Sequence, residues 1–177
     1  IETIPNKTPY LLAEKNKEIS WKEKIKNNTK KIGLCWSSYS NNLTVLNKNI
    51  PLKKLIPILE LPFSFHSLQI EIDENDKKIF NQYKNLFNHK KEIIGFDNTA
   101  ALIKNLDVVI TIDTSIAHLA GALGKKVWIL LPFIPDFRWM LNIDKSPWYP
   151  SAKLFRQTKF NDWDQIIQLV KNELKQI

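Results

Sequence analysis

The chain is short of the residues that many functional classes require. Of its 177 residues one is cysteine, Cys35, so no internal disulfide framework and no cysteine-rich metal site can form. Arginine is nearly absent, only Arg138 and Arg156, and glycine occurs four times. No apolar run reaches the roughly 18 residues of a membrane-spanning helix. The N-terminal Ile1–Lys7 stretch has no apolar core segment and does not read as a signal peptide. It also lacks an initiator methionine, so the expectation is an excised domain or a processed tag. Glycine-rich phosphate loops and a Gly-x-Ser-x-Gly elbow are missing, and no histidine–carboxylate cluster has metal-ligand spacing.

What is present is lysine and apolar residues. Twenty-six basic against 18 acidic residues give a net charge of +8, with 44% hydrophobic and 11% aromatic residues. Such a balance suits an anionic partner. The lysine pairs at 30–31, 53–54, 77–78, 90–91 and 125–126 are scattered, however. That argues against nucleic acid, whose usual footprint is one clustered face with stacking aromatics.

Apolar periodicity alternates between strand and helix. A short helix opens at Ser20 or in the Lys-rich stretch before it and reaches about Asn27, with Ile19, Trp21 and Ile25 as its apolar side. Strands are expected at Lys31–Trp36, Phe63–Leu68, Glu92–Ile94, Val108–Ile112, Lys126–Leu131 and Ala152–Phe155. Helices are expected from Pro51, over Asp73–Phe87 with Ile79, Tyr83, Leu86 and Phe87 inward, and over Asn98–Asn105, Ser115–Leu123 and Asp162–Leu174. Pro51 suits a first helical turn and Gly124 a helix stop. Strands alternating with helices imply crossovers and a parallel sheet. Runs such as Val108–Ile112 imply burial on both faces. The expected fold is α/β, a Rossmann-like doubly wound parallel sheet of about six strands with helices on both faces. Residues 1–12, with Pro5 and Pro9, read as a lead-in or interlobe linker, and 13–177 as the domain.

In such a sheet, ligands bind beyond the carboxyl ends of the strands. That rule selects the loops Ser37–Asn49, Gln69–Asp73, Gly95–Asn98, Asp113–His118 and Pro132–Trp139. The sharpest is Asp113-Thr114-Ser115-Ile116-Ala117-His118, where a strand gives way to a helix within two residues. Free N–H groups and the positive dipole end favour a phosphate there. The hydroxyls of Thr114 and Ser115 add donors, and His118 stands one turn up on the same side. The plain alternative is a helix cap with a satisfied core histidine. Small residues Ala117, Ala120, Gly121 and Ala122 let this helix approach the sheet.

The first loop carries Ser37, Ser38, Asn41, Asn42, Thr44 and Lys48, and Lys48 can neutralise a diphosphate. Asp97 or Asn98 reads first as a cap and second as a ligand contact. Gln69 and Glu71 can reach a base or ribose, or be ordinary loop polarity. Arg138, Phe133, Phe137 and Trp139 can cover a ligand, although core packing suits most of the aromatics. His66 reads as structural, His89 as exposed, and Cys35 as buried and inert.

Three segments together resemble the C-terminal nucleotide-sugar-binding domain of bacterial tetratricopeptide-repeat glycosyltransferases, related to the heptosyltransferase-like family 9 enzymes. They are Ile32-Gly33-Leu34-Cys35-Trp36 with Lys48-Asn49-Ile50-Pro51-Leu52; Phe96 to Ile103 running into Leu106 to Gly124; and Leu130 to Phe133 with Asp136-Phe137-Arg138-Trp139, Ser146-Pro147-Trp148-Tyr149-Pro150, Leu154 to Gln157 and Asp162-Trp163. The similarity runs from about Pro9 to the end.

The resemblance implies one lobe of a GT-B fold that binds a nucleoside-diphosphate sugar, and an inverting hexosyl- or heptosyltransferase-like activity. It implies donor contacts at Asp113, Thr114, Ser115, His118, Lys48, Gln69, Asp97 and Arg138. His118 and Lys48 would stabilise the leaving group, and no metal or other cofactor would be required. The catalytic base is expected in another lobe, so this chain alone would be inactive. The implied partners are that N-terminal lobe and tetratricopeptide repeats of the same protein, in the cytoplasm, with room for peripheral membrane association. Ser38 and Leu46 depart from the family pattern, which keeps open a non-catalytic lobe acting as a nucleotide- or protein-binding module. A related GT-B epimerase is a third reading.

Overall fold

The computed structural model describes residues 3–38 and 48–177. Six strands form one sheet: β1 Lys31–Cys35, β2 Ser64–Ser67, β3 Leu86–Asn88, β4 Val108–Ile112, β5 Val127–Leu131 and β6 Ala152–Arg156. Their order is β3-β2-β1-β4-β5-β6, and every pairing is parallel. Among the described residues, six helices connect and cover them: α1 Lys15–Lys24, α2 Ile56–Leu59 (entered through a 3-10 turn at Leu52–Leu55), α3 Glu74–Phe80, α4 Phe96–Lys104, α5 Ser115–Ala122 and α6 Trp163–Leu174.

The doubly wound expectation holds because the strands are apolar on both sides. Gly33, Cys35, Val109, Val127, Ile129 and Leu131 face one way. Of these, Cys35, Val109 and the three β5 residues join a core with α1, α4 and α5. Ile32, Leu34, Val108, Ile110, Ile112, Trp128 and Leu130 face the other, against α2, α3 and α6. Gly33 is needed for close packing, since a Cβ there would lie 2.6 Å from the Leu106 side chain.

Several local expectations change. The helix begun by Asp73 ends at Phe80 rather than Phe87. Asp73 caps it by accepting from the Asn75 and Asp76 N–H groups at 2.8 and 2.9 Å. Beyond it, the Asn85 amide donates to the Leu59 and Phe63 carbonyls at 3.0 and 3.2 Å. Leu86 then pairs beside Phe65 as the start of β3. The edge strand is therefore Leu86–Asn88. The segment Glu92–Ile94 is a turn, with Glu92 and Ile93 both donating to the His89 carbonyl. The first helix starts at Lys15, in the Lys-rich stretch that is one of its two expected starts, and ends at Lys24; Ile19 is exposed while Trp21 and Ile25 are buried.

His89 is buried, not exposed. Its Nε2 lies 2.9 Å from His66 Nδ1, and the Trp21 ring meets it edge-on. Phe133 and Phe137 are exposed, so core packing falls to Trp139. Gly121 admits the Tyr149 ring, not the sheet. The stop at Gly124 is a Schellman turn: φ is 66°, Gly124 donates to Gly121 at 2.9 Å and Lys125 to Ala120 at 2.9 Å. The lead-in docks at this end, Tyr10 and Leu11 both donating to the Ala122 carbonyl. Among the described residues, no helix is long and apolar enough to cross a membrane.

Candidate functional site

The strand order reverses between β1 and β4. From β1 the chain winds outward to β2 and β3; α4 then carries it back to β4, from which it winds to β5 and β6. The loops leaving β1 and β4 therefore diverge, and a crevice opens between them at the carboxyl edge. It measures about 740 Å³.

Four of the five expected loops line it. Ser37, Ser38, Lys48 and Asn49 come from the first, Gln69 and Asp73 from the second, Gly95 and Phe96 from the third, and Thr114 to Ile116 from the fourth. The loop from Pro132 does not line the crevice; it backs His118 instead.

The segment after β4 is built as a cap. Thr114 is the N-cap of α5, with extended backbone, and its Oγ1 accepts from the Ile116 N–H at 3.2 Å. Thr111 Oγ1 lies 3.2 Å from the same oxygen. The Thr114 hydroxyl is thus engaged in its own helix. Ser115, the first helical residue, is exposed, and its N–H precedes the first intrahelical bond.

Two cationic or donor side chains converge on Asp113. Lys48 Nζ is 4.0 Å from one carboxylate oxygen, and His118 Nε2 is 4.0 Å from the other. These separations give attraction but exceed hydrogen-bond range, so neither donor is bonded to Asp113 itself. His118 is half-buried; Trp139 stacks on it with centroids 5.2 Å apart, and the Tyr149 hydroxyl lies 3.0 Å from Nδ1. Burial pushes its pKa down, against the pull of Asp113, so the ring is neutral at physiological pH. Asp113 and His118 adjoin the crevice beside Thr114 and Ser115 without lining it.

The first loop is tied back from both sides. Gln69, buried, accepts from the Trp36 and Ser37 N–H groups at 3.0 Å each. It donates to Ser37 Oγ at 2.8 Å and to the Glu71 carbonyl at 3.0 Å. Its amide is fully occupied in shaping the loop after β1, which is a positioning job. Asp76 accepts from the Trp36 indole at 2.7 Å and from the Leu52 N–H at 2.9 Å, closing the far end of the same loop. Asn49 bonds Ser38 in both directions at 2.9 and 3.2 Å. Asn41, Asn42, Thr44 and Leu46 lie outside the described residues.

Other expected residues go elsewhere. Asp97 is not the cap of α4; Gly95 is, with φ 87° and no side-chain cap bond. The Asp97 carboxylate pairs with Lys17 of α1, which lowers its pKa. Glu71 pairs with Lys90. Arg138 pairs with Asp136 at 2.6 Å over the Phe137 ring, near enough to His118 to lower its pKa further. Cys35 is buried, its thiol pKa raised by that burial, with Sγ 3.1 Å from Gln69 Oε1. Sequence reasoning missed Asn49, Asp76 and Tyr149. Asn49 and Asp76 carry no local signal; Tyr149 lies in Ser146-Pro147-Trp148-Tyr149-Pro150, where Ser146 Oγ accepts from the Trp148 and Tyr149 N–H groups.

No family model matches the chain. It is 25% identical over 181 residues to the protein FlbA of Caulobacter vibrioides, a match over 98% of this chain and 30% of FlbA. Among solved structures it superposes on the E. coli ADP-heptose LPS heptosyltransferase II with a TM-score of 0.70 and 17% identity, over 99% of this chain and 55% of that one. The chain thus spans less than a third of the curated relative and about half of the solved enzyme. Its six-stranded parallel sheet, wound in both directions with helices on both faces, is the fold of a lobe of a GT-B glycosyltransferase.

Proposed function

We propose that this chain is the donor-binding lobe of a glycosyltransferase, holding the diphosphate of a nucleoside-diphosphate sugar at the start of α5. The observation that carries the reading is the convergence of two donor side chains on Asp113. Lys48 Nζ and His118 Nε2 each stand 4.0 Å from its carboxylate, at an N-terminus capped by Thr114 and opening on the crevice.

A diphosphate settling at Ser115 meets the free N–H, the Ser115 hydroxyl, the Lys48 ammonium and the imidazole N–H. Asp113 keeps the two long donors apart and aimed, and its charge is balanced by Lys48. The helix end adds about 0.3–1 kcal/mol for an anion, and each charge-assisted hydrogen bond about 1.5–3 kcal/mol. As the glycosyl bond breaks, negative charge grows on the departing phosphate oxygens, so the same donors strengthen in the transition state. No metal is needed for that stabilisation. The acceptor and the base that deprotonates it are assigned to the rest of a longer protein, as in a two-lobed enzyme that inverts the donor carbon.

Titration calorimetry with ADP, GDP, UDP and inorganic pyrophosphate tests the reading. Binding is expected, with amide shifts at 114–118, and Lys48→Ala and His118→Ala should each weaken it about tenfold or more. Absence of binding by every probe, or wild-type affinity in both variants, refutes it.

A further inference from the structure

The Ser146-Pro147-Trp148-Tyr149-Pro150 segment lies behind His118, on the side away from the crevice, and the donor reading leaves it without a role. It is nevertheless a built element. Ser146 Oγ accepts from the Trp148 and Tyr149 N–H groups at 3.2 and 3.3 Å, and the Trp148 indole donates to the Arg138 carbonyl at 2.8 Å. The Tyr149 ring is buried against α5 at Gly121, where any Cβ would come within 2.4 Å of it. A glycine is thus required in mid-helix so that a phenol can reach His118.

The reach ends in a 3.0 Å contact between the Tyr149 hydroxyl and His118 Nδ1. A neutral imidazole has one N–H, and the two ring nitrogens have different neighbours. Nε2 faces an Asp113 carboxylate oxygen at 4.0 Å, an environment that favours a proton there. Nδ1 is then a bare acceptor, and the nearby phenol has a proton to give. Burial, with the Tyr10 hydroxyl alongside, raises the Tyr149 pKa, so that proton stays in place.

We propose that Tyr149 is a positioning residue for the leaving-group end of the site: its hydroxyl donates to His118 Nδ1 and thereby holds the imidazole proton on Nε2, beside Asp113. This rests on the donor reading above. Without the phenol the ring can place its proton on Nδ1, turning a lone pair toward the phosphate and losing the donor. Trp139, stacked on the ring, fixes its plane, while Tyr149 fixes its tautomer.

The test is two-bond proton–nitrogen correlation on the 15N-labelled 177-residue chain, wild type and Tyr149→Phe, followed by titration of each with ADP, GDP and UDP. Wild type at neutral pH should show His118 protonated on Nε2. Tyr149→Phe keeps the ring against Gly121 and removes only the hydroxyl. It should shift His118 toward the Nδ1–H form, raise its titration midpoint, and weaken diphosphate binding about threefold to tenfold. A wild-type ring protonated on Nδ1 overturns the proposal without any variant. So does a Phe variant whose tautomer and midpoint match wild type. An Nε2–H ring that responds to Tyr149→Phe in a chain that binds none of the three nucleotides upholds the tautomer control and overturns the donor reading instead.

Discussion

Acidification to pH 5 should destabilise the folded chain through His66 of β2, between the first and the edge strand of the sheet. His66 Nδ1 lies 2.9 Å from His89 Nε2, the Phe87 ring stacks on it at 5.3 Å, and its Nε2 is buried with no partner among the described residues. His89 Nδ1 faces the Glu92 carboxylate at 4.0 Å, which favours His89 as Nδ1–H and His66 as the donor between the rings. A second proton on His66 would sit on the orphaned Nε2.

Burial, with smaller contributions from His89 and Lys31, lowers the His66 pKa to about 3. In the unfolded chain the value is about 6.5. The unfolded state therefore binds the proton first, and stability is fully present above pH 6.5 and lost as pH falls toward 3. At about 1.36 kcal/mol per pH unit, the loss between pH 7.5 and 5 is about 2 kcal/mol, approaching about 5 kcal/mol near pH 3. For a chain of this size that is roughly 4–8 °C in Tm at pH 5.

Urea denaturation of wild type and His66→Asn at pH 7.5, 6 and 5 measures the effect; asparagine keeps an N–H donor near the Nδ1 position. The variant should be less stable at pH 7.5 yet lose about 2 kcal/mol less on acidification. Parallel stability curves for the two proteins would refute the reasoning, since titrating groups away from the His66–His89 pair act on both alike.

Two further outcomes follow from buried contacts. Asp76→Ala strands the Trp36 indole and the Leu52 N–H, at about 1–3 kcal/mol each, so a loss of about 2–6 kcal/mol is expected in urea. Asp76→Asn should lose less by keeping one acceptor, and an alanine variant within about 1 kcal/mol of wild type would contradict the closure of the Lys48 loop described above. Gly121→Ala sets a Cβ 2.4 Å from the Tyr149 ring. Overpacking of about 1–3 kcal/mol outweighs a helix-propensity gain of up to about 1 kcal/mol, and His118 ring resonances should move with it. A stabilised variant with unmoved resonances would show that the Tyr149 ring yields freely.

Much of the architecture was legible without coordinates. Val108–Ile112 reads as a doubly buried strand because five apolar or β-branched residues in a row leave no solvated face, and β4 has those bounds. Gly124 reads as a helix stop because only glycine enters the left-handed region cheaply, and it closes α5. The site loops follow from topology alone, since a sheet wound in both directions opens a crevice at its switch point. Local pattern could not distinguish a continuing helix from a three-residue edge strand at Leu86–Asn88. That choice depends on Asn85 and Phe65, 20 residues apart and brought together by the sheet. It likewise could not separate ligand-facing polar residues from structural ones. Gln69 and Asp97 have the chemistry of donor contacts, yet their partners, the Trp36 and Ser37 amides and Lys17, are long-range neighbours. His89 looked exposed for the same reason, its cover coming from Trp21 and His66. Sequence by itself determined most of the elements and the sheet edge on which the crevice opens, because hydrophobic period and turn chemistry act over a few residues. Tertiary structure alone decided that Lys48 and His118 converge on Asp113 while Gln69 and Asp97 are taken up elsewhere, because a polar group's availability depends on every neighbour that folding brings within about 3 Å of it.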